Sequence, residues 1–287
     1  MRKPTYTLRT YIGALLAATM ILAGSGCTYL RARDHLNKGI ASFRAGKYPD
    51  AVDHFKQAME LDPQWETPQV YLATSYMSQW IPGAESPENL EFAAKAKAEF
   101  LKVLERNPKE ETALGYLAML AFNQATTGQI TPEEKEAKLN ESAEWHHKRN
   151  AVKPNKEAYY SLAVIDYQKW SPVWLQARAS LKMRSGDPGP LKDKKVREDL
   201  KARFSAGLDD GIDNLKKALE IDKDYVDAMA YMNILIRQRA DLLDSADQYK
   251  TEIALADNWL DQAMNTRKML AEKANKKAAT GGIHTDN

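Results

Sequence analysis

The stretch ARDHLNKGIASFRAGKYPDAVDHFKQAMELDPQW, residues 32–65, sets the fold. Two runs of helical periodicity flank Gly46-Lys47-Tyr48-Pro49-Asp50. Gly46 suits the left-handed residue that ends a helix. Pro49 pre-sets the first turn of a second helix, and Asp50 lies near its positive end. Gly39 and Ala51 are small enough for two antiparallel helices to come close. Phe55 fills the space beside them, Ala58 leaves room for a further element, and Pro63 breaks the second helix. The stretch reads as a helical hairpin with one face prepared for another.

The same spacing returns downstream. It appears as Ala96, Phe100 and Val103-Leu104 before Asn107-Pro108, and as Gly211, Leu215 and Ala218-Leu219 before Glu220-Ile221-Asp222. It appears again as Ala256, Leu260 and Ala263-Met264. A weaker copy is Ala143, His147 and Asn150-Ala151, with Pro154 one residue early. First helices are expected over 69–80, 112–122, 157–170 and 227–243. The unit resembles the tetratricopeptide repeat (TPR), and the resemblance extends over residues 32–274. It implies an all-α fold, an α-solenoid of about five TPR-like hairpins.

Insertions are expected in the second, third and fourth hairpins. Ile81-Pro82-Gly83-Ala84-Glu85 stretches the second, with Ser86 as N-cap and Pro87 as first helical residue of the helix that follows. The third has a loop from Thr126 to Thr131, closed by the capping box Thr131-Pro132-Glu133-Glu134. The longest insertion, about 171–203, begins near Trp170 and Trp174 and contains the turn Ser185-Gly186-Asp187-Pro188-Gly189-Pro190. Val196, Leu200, Phe204, Leu208, Ile212, Leu215 and Leu219 then mark one long amphipathic helix. Residues 275–287 read as a flexible polar tail.

The N-terminus reads as an address. Arg2, Lys3 and Arg9 precede an uncharged stretch from Tyr11 to Ala23, the length of a secretory h-region. Gly24-Ser25-Gly26-Cys27 follows and resembles the lipobox of bacterial lipoproteins, with Gly24 where that motif prefers a branched residue. The resemblance implies a signal peptide over 1–26, diacylglycerol and fatty acid on Cys27, and a lipidated linker over 27–31. Cleavage after Ala23-Gly24-Ser25, leaving an incidental cysteine, is the other reading of the same residues. Thr28 after the cysteine implies the outer membrane, facing the periplasm. Ala158-Tyr-Tyr-Ser-Leu-Ala-Val-Ile-Asp-Tyr-Gln-Lys-Trp170, the run from Asp187 to Arg197, and Ala256-Asp-Asn-Trp-Leu260 add a resemblance to a group of bacterial envelope TPR lipoproteins.

Composition excludes several classes. The chain is 44% apolar and 28% charged, and its six Trp, thirteen Tyr and six Phe supply a real core. Its net charge is +2, and beyond Cys27 the balance is near neutral without a basic block, so no nucleic-acid partner is expected. One cysteine rules out an intramolecular disulfide and a cysteine-clustered zinc site. No nucleophile elbow, P-loop or dinucleotide fingerprint occurs, and an enzyme is not expected. His146 and His147 point about 100 degrees apart on a helix. His147 falls on the aromatic slot and reads as a core histidine. His35 and His54 lie on the two helices of one hairpin and can approach, with no acidic third ligand of fixed geometry. No cofactor or metal site is expected.

The TPR register implies which residues face a concave groove. They are Asn37, Ile40 and Arg44; Val70, Tyr71 and Thr74; Tyr160, Val164 and Tyr167; and Tyr231, Ile234 and Arg237. The other reading of these side chains is packing between neighbouring hairpins. The basic carboxylate clamp of some relatives is not reproduced, since only Asn37 and Arg44 match it. The expected function is a membrane-anchored protein-interaction scaffold of the bacterial cell envelope, with one or more envelope proteins as partner. The rival is a glycan- or nutrient-capture lipoprotein using Trp65, Trp80, Trp170 and Trp174 as stacking platforms.

Overall fold

A computed structural model describes residues 28–184 and 186–281. Cys27, the segment before it and residues 282–287 lie outside the described residues. Helices take up nearly all of the described chain, with no strand among the described residues. The chain divides into two compact units, Met1–Gln129 and Ile130–Asn287, parted in the loop of the expected third hairpin.

The first unit contains α1 (28–44), α2 (Tyr48–Leu61), α3 (Glu66–Gln79), α4 (Pro87–Arg106) and α5 (Glu111–Thr127). Gly46 ends α1 with a φ of 72°. The Lys47 N–H reaches the Ser42 carbonyl and the Gly46 N–H the Phe43 carbonyl, the paired bonds of a Schellman cap. Gly39 is needed for contact: a Cβ there would lie 2.5 Å from the Phe55 ring. Ala51, Phe55 and Ala58 are fully buried, as are Ala96, Phe100 and Val103 one hairpin later.

Sequential stacking follows from one aromatic contact used twice. Phe55 of α2 stacks on Tyr71 of α3, ring centroids 5.4 Å apart, and Phe100 of α4 stacks on Tyr116 of α5 at 5.2 Å. The second helix of each hairpin thereby meets the first helix of the next. The turn after each second helix also repeats. Asp62, Asn107 and, in the other unit, Asp222 each accept from the backbone N–H two residues on through a side-chain oxygen. The α3–α4 loop is held by Asn89, which accepts from the Ile81 N–H and donates to the Ile81 and Ala84 carbonyls. Ser86 caps α4 through the Asn89 N–H.

The second unit contains α6 (Pro132–Val152), α7 (Lys156–Ser180), α8 (Lys194–Ile221), α9 (Val226–Ala240) and α10 (Ala246–Gly281). Thr131 and Glu134 form the expected capping box at α6. The weak repeat copy needs a correction of one residue. His146 and Ser142 are buried, whereas His147 is exposed. The spacing from Ser142 to Pro154 equals that from Ala51 to Pro63, so the proline carried the right register. Burial lowers the His146 pKa to about 4, aided by Arg149 and His147, so it is a neutral core residue.

The long insertion is mostly helix. α7 continues through Pro172 to Ser180, and α8 starts at Lys194; the described residues of the loop between them, 181–184 and 186–193, are non-helical. Val196 to Leu219 belong to one helix as expected. Arg178 and Asp241, whose side chains are each 3% exposed, form a buried pair at 2.5 Å. Arg178 also donates to the carbonyls of Arg184 and Asp187, and the Leu191 N–H donates to the Asp241 carbonyl. Gly189 lies so close that a Cβ there would run into Asp241 Oδ1. The loop is therefore fastened on one side to the Arg178 guanidinium and on the other to the Asp241 main chain, and the two residues pair through their side chains. α10 runs to Gly281, so residues 275–281 of the expected flexible tail are helical.

Candidate protein-binding surface

The expected groove residues separate into available and occupied side chains. In the first unit Asn37 and Arg44 are exposed on α1, and Ile40 is half-buried. Val70 and Tyr71 of α3 are half-buried, but one face of the Tyr71 ring is taken by Phe55 and its edge by Phe43. Thr74 is corrected from groove to interior: it is buried and its hydroxyl donates to the Val70 carbonyl at 2.8 Å. Tyr116, which the groove set omits, stands where Tyr71 stands one repeat earlier. The equal separation of Phe55 from Tyr71 and of Phe100 from Tyr116 was the available signal.

The second unit gathers more. Tyr160, Val164 and Tyr167 recur at helical spacing on α7 and are half-buried. Tyr231 of α9 meets both tyrosines edge-on, at 5.2 Å from Tyr160 and 5.6 Å from Tyr167. Tyr225 joins at 5.4 Å from Tyr160, and the Lys156 ammonium stands 4.9 Å from its ring. Ile234 is half-buried beside them on α9. Arg237 is paired with Asp257, so it is not a free cation in the groove.

Burial keeps Tyr160, Tyr225 and Tyr231 neutral. Burial, then the Tyr231 and Asp227 neighbours, raises the Tyr160 hydroxyl. Burial, then Glu157, Asp227 and Asp222, pushes Tyr225 up to about 12. Burial also raises Tyr231. Half-exposed aromatic faces with protonated hydroxyls offer apolar contact and hydrogen bonding together, the chemistry of protein-interface anchors. Asp166 on α7 is also perturbed. Burial, with Asp210 close, pushes its pKa up to about 7 against the pull of Lys169. It faces the small residues of α8, its Oδ2 3.5 Å from a Cβ built at Gly211.

Two of the four stacking platforms of the rival glycan reading, Trp170 and Trp80, are corrected to interior positions, and Trp65 is half-buried. Trp170 is 1% exposed in the core of the second unit, against Phe204, and Trp80 is buried in the first. Trp174 is half-buried with its indole N–H given to Asp241 at 2.7 Å. A sugar ring cannot stack on Trp170 or Trp80 while the fold is intact. No group of three or more His, Cys, Asp or Glu side chains with metal-holding geometry occurs among the described residues. No described helix is long and apolar enough to cross a membrane.

The hairpin of α1 and α2 is similar to the tetratricopeptide repeat, whose family model matches residues 32–65. Two solved structures are similar at low identity. A thermophilic TPR protein of Thermus thermophilus is 16% identical, covering 74% of this chain and all of its own, with a TM-score of 0.39. The TPR2AB domain of yeast Sti1, in a complex with pHSP90, is 15% identical over 83% of this chain and 96% of its own, with a TM-score of 0.30. No curated protein matches the chain.

Proposed function

We propose that this protein is an exported scaffold, held to the bacterial outer membrane by lipid on Cys27, that binds a segment of an envelope protein. The tetratricopeptide hairpin supports a protein-binding role, and the signal-like stretch ending at Cys27 supports export and anchoring. The observation that carries the reading is the α7–α9 face. Tyr160, Val164, Tyr167, Tyr231 and Ile234 are half-exposed there, with the hydroxyls of Tyr160 and Tyr231 raised by burial and so kept protonated. Helices that present such a row suit an extended or helical segment laid across them.

The test is photo-crosslinking in cells. A photoreactive residue at Val164 or Tyr167 is expected to give a discrete adduct with one envelope protein. The same residue at the exposed positions Glu60 and Glu133 is expected to give none. Adducts at those controls and none at Val164 or Tyr167 would discard the groove. The anchor has its own test: Cys27→Ser is expected to abolish fatty-acid labelling and leave an uncleaved precursor. A normal-sized soluble product from that variant would discard lipidation while leaving the groove reading standing.

A further inference from the structure

We propose that His35 and His54 form a two-imidazole binding site for a borderline divalent cation, Zn2+ or Cu2+, bridging the two helices of the first hairpin. The site arises from the repeat itself. His35 lies on α1 one turn before Gly39, and His54 immediately precedes Phe55 on α2. The close approach of Phe55 to Gly39 draws the helices together at this level. The imidazoles end with their Nδ1 atoms 3.5 Å apart and ring centroids at 5.7 Å, tilted by 41°.

That separation is long for a hydrogen bond between the rings. It lies close to the nitrogen–nitrogen edge of a tetrahedral zinc site, about 3.4 Å for ordinary zinc–nitrogen bonds. Neither imidazole has another hydrogen-bond partner among the described residues. With each proton on Nε2, both Nδ1 lone pairs are free to ligate. Both rings are half-buried on helices fixed by packed residues, so little order is lost when they share an ion.

The surroundings favour a cation. The Asp34 carboxylate interacts electrostatically with both imidazoles, and Lys38 holds it at 2.7 Å on the exposed side. No third protein ligand completes the shell among the described residues, so water fills the remaining positions. Nitrogen donors of this kind select Zn2+, Cu2+ and Ni2+ over Mg2+ and Ca2+.

The experiment titrates Zn2+ into the full chain carrying Cys27→Ser, which removes the thiol as a competing ligand, against a chromophoric chelator. One site per chain is expected, unaffected by excess Mg2+. His35→Ala and His54→Ala should each weaken it by about tenfold or more, since losing even an outer-shell partner costs about 10–100-fold. His147→Ala, on an exposed residue of another helix, should change nothing. Circular dichroism checks the fold, and His35→Asn and His54→Gln replace the alanine variants where those unfold. Absence of stoichiometric Zn2+ binding, or binding indifferent to both histidines, would overturn the proposal.

Discussion

Phe55 and Tyr71 lie stacked with ring planes 22° apart, one ring from the end of a hairpin and the other from the start of the next. The contact makes Tyr71 half a binding residue and half a structural one. Phe100 and Tyr116 repeat it at 13°. Truncation at these tyrosines therefore disturbs the stack that presents the surface.

Tyr71→Ala and Tyr116→Ala should each lower stability by roughly 1–3 kcal/mol, less than the roughly 3–5 kcal/mol of a fully buried aromatic. Phe55→Ala should reach that upper range. Urea unfolding checks the order, and a Tyr71→Ala variant as stable as wild type would show that the stack contributes nothing.

Helix approach in the first hairpin gives a second expectation. Ala51 is fully buried, so Ala51→Leu should overpack and cost roughly 1–3 kcal/mol. Glu60 is exposed, and Glu60→Ala should shift the melting temperature little. Equal melting temperatures for the two would refute the register.

The buried pair in the second unit predicts a non-additive cycle. Arg178→Met or Asp241→Asn leaves its partner buried and uncompensated, at a cost of about 3–5 kcal/mol. The double variant should lose much less than the sum of the singles. Additivity in chemical denaturation would mean that the two side chains do not act together.

Asp166 predicts a pH dependence of definite sign. Its folded-state pKa is raised to about 7, so the folded chain holds a proton there that the unfolded chain releases near pH 4. The contribution from the neutral form is complete below pH 4 and is lost as pH rises through about 7. Asp166→Asn should match wild type in acid and be more stable at pH 8. Melting-temperature differences that stay constant from pH 4 to 8 would contradict the burial argument.

Trp170→Ala should lower the melting temperature steeply because the indole is buried against Phe204. Large buried aromatics cost roughly 3–5 kcal/mol when truncated. A folded, unimpaired variant would reopen the case for a surface platform at this tryptophan.

Much of the repeat was legible because its slots are local. Gly39, Gly46, Ala51, Phe55 and Pro63 each have one steric job, and the jobs fix the spacing. In the third hairpin the pattern is ambiguous by one residue, because Ala143 and His147 imitate it while Ser142 and His146 fill it. The proline distance could have decided between them. Trp170 and Trp80, platforms in the rival reading, are buried for a reason that composition does not carry: it does not say which way an indole points. The groove was legible as a face but not as a surface. Thr74 turned its hydroxyl back to its own helix, and Arg237 found Asp257 on α10. Arg178 and Asp241 stand far apart in sequence, and nothing local to either announces the other. Tyr225 and Asp166 take their character from burial, which a sequence does not contain.

Asn89 holds the α3–α4 loop entirely through main-chain atoms of Ile81 and Ala84. Gly83, with its φ of 80°, is the one loop residue whose conformation favours glycine. The side chains of Ile81, Pro82 and Glu85 are exposed and take no part in the clasp, which of these three residues uses only the Ile81 main chain. Shape and identity are thus uncoupled in this segment, much as a typeface is independent of the word set in it. An epitope or a reactive handle written over Ile81, Pro82 and Glu85 would be displayed on an unchanged frame, provided Asn89 and Gly83 were kept.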